Sequence, residues 1–281
     1  MPELKKTISE YLFVTITVVI GLFASFFLAE TQQQAARLKT AEQFRIAAND
    51  RINVISDAVN NNISLGHSVV SFFQASHEIS RDEFALFTSE ILKEAPFIEA
   101  LEWAPVVAKD ERAKYEADAA AVVPNYTFKD IQPDGSLTVA KERDVYYPVY
   151  YIEPVMDLTR HVFGVDFTTN PVRRKAIETA MATNKVAVTE RITLLSSHRP
   201  GVLFFSPVVK EEHLLGFVVS AITLDTLVTQ AIEPLNKDGV NIIAHDITNG
   251  EPKILFIHAS RLKKVPDADV MKIYNSTSMR Q

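Results

Sequence analysis

The 281-residue chain contains no cysteine. That absence excludes a disulfide framework, an iron–sulfur cluster, a cysteine zinc site and a thiol nucleophile together. It is silent on compartment, because periplasmic proteins often do without disulfides. Glycine and proline are sparse, at 8 and 13 residues, against 17 Phe and 8 Tyr. Such a composition excludes a chain disordered throughout. A basic excess is also lacking: the net charge is −6, and no Lys/Arg patch interleaved with aromatics occurs. Nucleic acid is therefore excluded as a partner. The seven histidines fall in no HExxH or similar metal spacing. GxSxG, P-loop and GxGxxG motifs are missing, so a nucleophile elbow and a phosphate cradle lack their scaffolds. Glu99, Glu102 and Glu153 are carboxylates at the density expected of any acidic surface, and Glu211-Glu212-His213 reads as a solvated turn. The expectation is a non-enzyme that needs no cofactor and no metal.

What is present begins with residues 12–29, LFVTITVVIGLFASFFLA, a run without a charge. At about 1.5 Å per residue it just crosses a hydrocarbon core of about 30 Å. A cleaved signal peptide would show a shorter apolar stretch and a small-x-small site. Phe26, Phe27, Leu28 and Ala29 lack that pattern, which favours an uncleaved anchor. Lys5 and Lys6 precede the run, and Arg37, Lys39 and Arg45 follow it, so the charge count leaves orientation nearly tied. Tyr11 stands where an interfacial aromatic belongs. Residues 1–10 read as a short tail, 11–29 as a transmembrane helix and 30–75 as a stalk helix.

Between residues 31 and 74 there is no proline, and the only glycine is Gly66. Leu38, Ala41, Ala48, Ile52, Ile55, Val59, Val69 and Phe73 recur in steps of three and four, with Arg45, Asn62 and Gly66 on the same lattice. A sustained 3.5-residue repeat predicts a helix packed lengthwise on another helix. Two partners fit: a second copy, giving a homodimer through the stalk, or the helix's own domain.

Beyond the stalk, helices and strands alternate. Ser80-Arg-Asp-Glu83 is a capping box, opening a helix that buries Phe84, Phe87, Ile91 and Leu92 and stops before Pro96. Residues 98–107 read as strand with the only tryptophan, Trp103. A charged helix is expected over 110–121. The 144–152 strand is broken by Pro148, which marks an edge or a bulge. Asn170-Pro171 is an N-cap with an N1 proline, with Ile177, Ala180 and Met181 expected to face inward. Strands recur at 186–194, 202–209, 215–223 and 240–245, with a helix over 224–235. This pattern predicts an α+β domain with a mainly antiparallel sheet.

The ordered set of segments resembles a CHASE domain, the extracellular sensory module of receptor histidine kinases and diguanylate cyclases. The residues carrying it are Phe84 with Pro96, Ala100-Leu-Glu-Trp-Ala-Pro-Val-Val107 and Glu111-Arg112. Tyr147-Pro-Val149, Ile152-Glu-Pro154, Gly164-Val-Asp166 and Pro171-Val-Arg-Arg-Lys-Ala176 follow. Leu194-Leu195, Phe205-Ser-Pro-Val208 and Gly216-Phe217 complete the series. The resemblance implies PAS-like subdomains stacked on the stalk: a membrane-distal ligand-binding unit at 76–230 and a partial membrane-proximal one at 231–281. It also implies an inner (plasma) membrane receptor with its domain periplasmic, its tail cytoplasmic, and a role in two-component or similar signal transduction.

In plant cytokinin receptors of the family, an Asp on a central strand and a Thr on a later strand line the pocket. Asp144 and Thr189 fall at those positions. Strand alternation adds Tyr146 and Tyr150 beside Asp144, and Leu203 and Phe205 share a face as apolar walls. The resemblance thus implies a small-molecule ligand of unstated identity. A surface ion pair with Arg143 or Arg191 is the plainer reading of Asp144, and an ordinary strand threonine that of Thr189. Asp166 reads as structural, capping the turn toward Asn170. No second apolar run follows the strands at 240–245 and 254–258, so the sequence reads as a truncated product or fragment of a longer receptor whose output enzyme lies outside it. A membrane-tethered protein-interaction module with a filled core is the alternative.

Overall fold

The computed structural model describes residues 2–76, 78–235, 239–247 and 252–259, with side chains from residue 16 onward except Thr17. Two compact units divide the chain, Met1–Asp50 and Arg51–Gln281. Helix α1 (Pro2–Ala75) supplies the described residues of the first and opens the second. In the first unit the large apolar residues Ile16, Val18, Val19, Ile20, Leu22, Phe23, Phe26, Phe27, Leu28, Leu38 and Phe44 are exposed. Among the described residues no helix is long and apolar enough to cross a membrane. Positions 12–15 and 17 of the expected span lie outside the described side chains.

The second unit is an α+β fold. The Ser80 capping box forms as expected: Ser80 Oγ accepts from the Glu83 amide at 3.3 Å, and Glu83 Oε2 accepts from the Ser80 amide at 2.9 Å. It opens α2 (Arg81–Glu94), which ends before Pro96. Then follow β1 (Ile98–Pro105), β2 (Val107–Ala108) and α3 (Arg112–Ala120), and next β3 (Lys129–Ile131), β4 (Leu137–Val139), β5 (Val145–Tyr146) and β6 (Tyr151–Glu153). Pro148 splits β5 from β6, as its missing amide requires. The short α4 (Asp157–Arg160) and a 3-10 turn, Phe167–Thr169, lead to α5 (Pro171–Thr183). Asn170 caps α5, its Oδ1 accepting from the Val172 and Arg173 amides. The expected 186–194 strand is two pieces, β7 (Ala187–Val188) and β8 (Ile192–Thr193). The long hairpin of β9 (Pro200–Lys210) and β10 (His213–Thr223) precedes α6 (Leu224–Ile232), β11 (Ile242–Asp246) and β12 (Lys253–His258).

The main sheet runs β6-β1-β10-β9-β7, with β8 also pairing β9; every pairing is antiparallel. Glu211 and Glu212 make the β9–β10 turn with φ of 51° and 65°, the left-handed pair a two-residue hairpin demands. Both are exposed. Gly216 has φ +156°, and a Cβ there would land on the Ala104 carbonyl, so β10 approaches β1 there only as glycine. β11 and β12 form a separate hairpin packed on α6. Most of the expected 231–281 subdomain lies outside the described residues.

Alternation along the strands sends side chains to two cores. One face carries Ala100, Ala104, Leu203, Phe205, Phe217 and Val219, packed with Tyr146, Phe167 and Ile177. The other carries Leu101, Trp103, Val202, Phe204 and Val218, packed with Val69 and Phe73 of α1, Phe84 of α2 and Leu227 of α6. Phe73 stacks on Trp103 at 4.1 Å. A Cβ added at Gly66 would come within 3.2 Å of Ser206 Oγ, so α1 lies close against β9. Asn62, Gly66, Val69 and Phe73 are therefore buried in their own domain. The helical repeat that predicted a partner helix is here satisfied by a sheet, while Leu38 and Ile52 remain exposed. Met181, expected inward, is exposed, because the buried stripe of α5 runs Arg173, Ala176, Ile177, Ala180.

Candidate functional site

The helix-α5 side of the sheet is where polar chemistry is buried. Glu102 lies in the middle of β1, opposite Val219 of β10 and Ile152 of β6, on the same face as Ala100 and Ala104. Expected on an acidic surface, it is in fact only 4% exposed: β1 is an inner strand between β6 and β10, and the face Glu102 shares with Ala100 and Ala104 is covered by the core. Arg173, the third residue of α5, is equally buried at 4% and lies over the Phe167 ring at 5.9 Å. The two line one small chamber with Val162, Phe167, Leu194, Leu195, Ser196, Leu203 and Ala221, of about 10 Å³. That is room for about one water molecule.

Neither group is satisfied. Glu102 Oε2 and Arg173 Nε and Nη1 are buried without a protein hydrogen-bond partner, an arrangement uncommon in folded proteins. Burial pushes the Glu102 carboxyl up to about 8, with Arg173 opposing the shift and Glu99 adding to it. Burial likewise lowers the Arg173 guanidinium to about 10, and Glu102 opposes that. At neutral pH the chamber thus holds a cation facing a largely protonated carboxyl.

Two neighbours frame the chamber. The β1 register shifts between Ile98 and Ala100, freeing Glu99 to accept from the hydroxyls of Ser196, Ser197 and Thr223. The 194–199 segment that closes the chamber is thereby tied to β1. Outside it lies a cavity of about 490 Å³ that shares Arg173, Leu194 and Leu195 and adds Ile131, Gln132, Asn170, Ile192 and His198. The side chains of Leu194 and Leu195 thus border both spaces.

The expected site residues do not converge. Asp144 is exposed, and its backbone carbonyl accepts from the Lys109 amide. The partners considered for it are engaged elsewhere: Arg143 pairs with Asp130 at 2.6 Å and Asp166 at 2.8 Å, and Arg191 donates to the Ile254 carbonyl. Tyr146 is fully buried; its hydroxyl accepts from the Arg143 amide and donates to the Lys141 carbonyl. Tyr150 is half-buried among Tyr115, Tyr126 and Tyr151. Phe205 is core, edge-on to Phe167 and Phe217. Thr189 exchanges backbone and hydroxyl hydrogen bonds with Leu203 and borders a different cavity of about 460 Å³ with Val59, Ile63 and Phe204. Of the six, Leu203 alone lines the chamber. Asp166 is structural as read, its Oδ1 accepting from the Thr168 amide and hydroxyl. Glu102 and Arg173 do not stand out together in the sequence, because a lone acid and a lone base 71 residues apart carry no spacing signal. A charged residue inside the apolar run Ala100–Val107 was the available clue.

The CHASE domain family model matches residues 77–257, more than half of the chain, and the chain belongs to this family of sensory ligand-binding modules. No curated protein matches it. Among solved structures, it is similar to the ligand-binding domain of the Pseudomonas aeruginosa PAO1 chemoreceptor PctC in complex with GABA (13% identity, 80% of this chain and 77% of that one, TM-score 0.47). The ligand-binding domain of PctB from the same organism with L-Gln matches at 15% identity over 80% and 67%, TM-score 0.44. That of Pseudomonas fluorescens CtaA with L-isoleucine matches at 13% over 75% and 65%, TM-score 0.43. Membership assigns the chain an extracellular sensory role rather than a catalytic one. Among the described residues no group of three or more His, Asp or Glu is placed to hold a metal.

Proposed function

We propose that the chain is the extracytoplasmic small-molecule sensor of a transmembrane receptor, and that its ligand enters the Glu102–Arg173 chamber. The carrying observation is a buried guanidinium and a buried carboxyl, each with polar atoms lacking a hydrogen-bond partner, that line one space. Residues 11–29 are the membrane anchor in this reading, supported by an uncharged run whose described large apolar side chains are all exposed. Residues 30–75 carry the response to a cytoplasmic histidine kinase or diguanylate cyclase, with the exposed Leu38 side of the helix facing a second copy.

A physical route supports the coupling. Opening the chamber displaces the 194–199 segment, which holds Glu99 of β1 through Ser196 and Ser197. On the far face of that sheet lie Phe73 against Trp103 and Gly66 against Ser206. A shift of about 1–2 Å in α1, worth roughly 1–3 kcal/mol of coupling, is the expected response.

The test is isothermal titration of the full chain in nanodiscs against a metabolite panel. Saturable binding that weakens at least tenfold in Arg173→Met and is unchanged in Asp144→Ala supports the chamber. A ligand bound equally by Arg173→Met moves the site elsewhere. A second reading, a tethered protein-interaction module, is favoured by the chamber's small volume of about 10 Å³. It gains support from a panel with no binder at all.

A further inference from the structure

Arg173 sits in the first turn of α5, where the helix dipole disfavours a cation. It is buried there all the same, with two of its nitrogens unpartnered. Across the chamber Glu102 Oε2 is in the same condition. An acid and a base retained side by side in a core usually close on one another in a hydrogen-bonded pair. These two do not; they act on each other across the chamber, each opposing the effect of burial on the other. Each keeps its bonding capacity open toward the same space.

Resting on the reading that this chamber is the sensor's ligand site, the geometry points to a small zwitterion as the ligand class. Its carboxylate meets the Arg173 guanidinium, its protonated amine meets the Glu102 carboxylate, and its remainder passes Leu194 and Leu195 into the outer cavity. An anion without an amine satisfies Arg173 and leaves Glu102 without a cation. An amine without an acid does the reverse, and leaves two buried guanidinium nitrogens bare. The chamber holds only about one water, so the head group enters as Leu194, Leu195 and Ser196 give way. The outer cavity of about 490 Å³ is of the size that accommodates a side chain.

A proton accounts for the pairing and makes it measurable. The groups acting on Glu102 are Arg173 from α5 and Glu99 from its own strand. Without ligand Glu102 is largely protonated at pH 7, since it titrates at about 8. To accept an ammonium group it must ionise, so a zwitterion binding at pH 7 releases close to one proton. A simple carboxylate releases none, because with no cation beside it Glu102 keeps its proton.

The experiment is titration calorimetry of the full chain in nanodiscs at pH 7, in phosphate and again in Tris. The two buffers differ in ionisation enthalpy, so the difference in heat counts protons. The probes are glycine, β-alanine and the common L-α-amino acids, each binder repeated as its decarboxylated amine and its deaminated carboxylate. At least one zwitterion is expected to saturate with release of about one proton, its amine and carboxylate counterparts binding tenfold or more weakly. Glu102→Gln is expected to weaken that zwitterion tenfold or more and abolish the buffer difference. Trp103 fluorescence reports whether the variant has folded, and the proton count is read on the wild type without any variant. A carboxylate binding as tightly as its zwitterion with no proton released overturns the zwitterion class. So does a probe set with no binder. In either case a different metabolite lost in Arg173→Met leaves the chamber as the site, whereas one indifferent to both Arg173→Met and Glu102→Gln overturns the chamber reading itself.

Discussion

Glu102→Gln should flatten the dependence of stability on pH. In the folded chain burial holds the Glu102 carboxyl up to about 8, against an ordinary value of 4.5. The folded state therefore binds this proton more tightly than the unfolded state does. Its contribution is fully present below the unfolded value, and it is lost as pH rises from 4.5 through 8. The gap of about 3.5 units corresponds to at most about 5 kcal/mol above pH 8, and to about 3 kcal/mol by pH 7, at about 1.4 kcal/mol per unit. Glutamine keeps the shape and a donor but does not titrate, so the variant escapes the loss. Every other carboxylate is common to both proteins and cancels in the difference. Urea unfolding of the full chain in detergent, from pH 4 to 8, measures it, with the only tryptophan, Trp103, as the reporter; it is buried and stacked on Phe73. The wild type should lose a few kcal/mol relative to Glu102→Gln between pH 4.5 and 7.5. Two profiles that run parallel within about 0.5 kcal/mol would refute the claim that Glu102 is a buried, desolvated acid.

Arg143→Met strips the cation from Asp130 and Asp166, the latter fully buried; the expected loss is about 3 kcal/mol, read as a lower urea midpoint, and an unshifted midpoint would show the network to be solvent-screened. Gly164→Ala places a Cβ on the Thr127 carbonyl at φ +80°, so a loss of about 2–4 kcal/mol is expected, with a smaller one meaning that the 127–128 backbone yields. In this cysteine-free chain, Leu38→Cys creates a single thiol on the exposed part of α1. Mild oxidation in membranes should trap a disulfide-linked dimer on a non-reducing gel, and a monomer band alone would count against pairing through the stalk.

Local signals were readable from sequence because local chemistry specifies them. The Ser80 capping box, the Asn170-Pro171 helix start, the Pro148 break and the Glu211-Glu212 turn each form where their residues stand. Each is decided by side chains within a few positions of the backbone groups they serve. The CHASE resemblance was legible for a different reason: it rested on the order of many weak segments, and the family match covers the same region.

The Glu102–Arg173 chamber was not legible in the sequence. Strand alternation placed Tyr146 with Asp144, but Val145–Tyr146 is a two-residue strand on Val107–Ala108, too short for a pleat to carry a face. Asp144 accordingly stays exposed while Tyr146 turns into the core. The seam through Asn62, Gly66, Val69 and Phe73 gave the period of α1 without naming its partner, since a sheet and a helix both reward a 3.5-residue stripe. By itself the sequence determined the capped helices, the longer strands and the β9–β10 turn, the uncharged run at residues 12–29, and the family. Only the tertiary structure decided that Glu102 and Arg173 share one closed space. Burial and pairing of charges are properties of neighbours brought together from distant parts of the chain, and a carboxylate's environment is not written in the residues beside it.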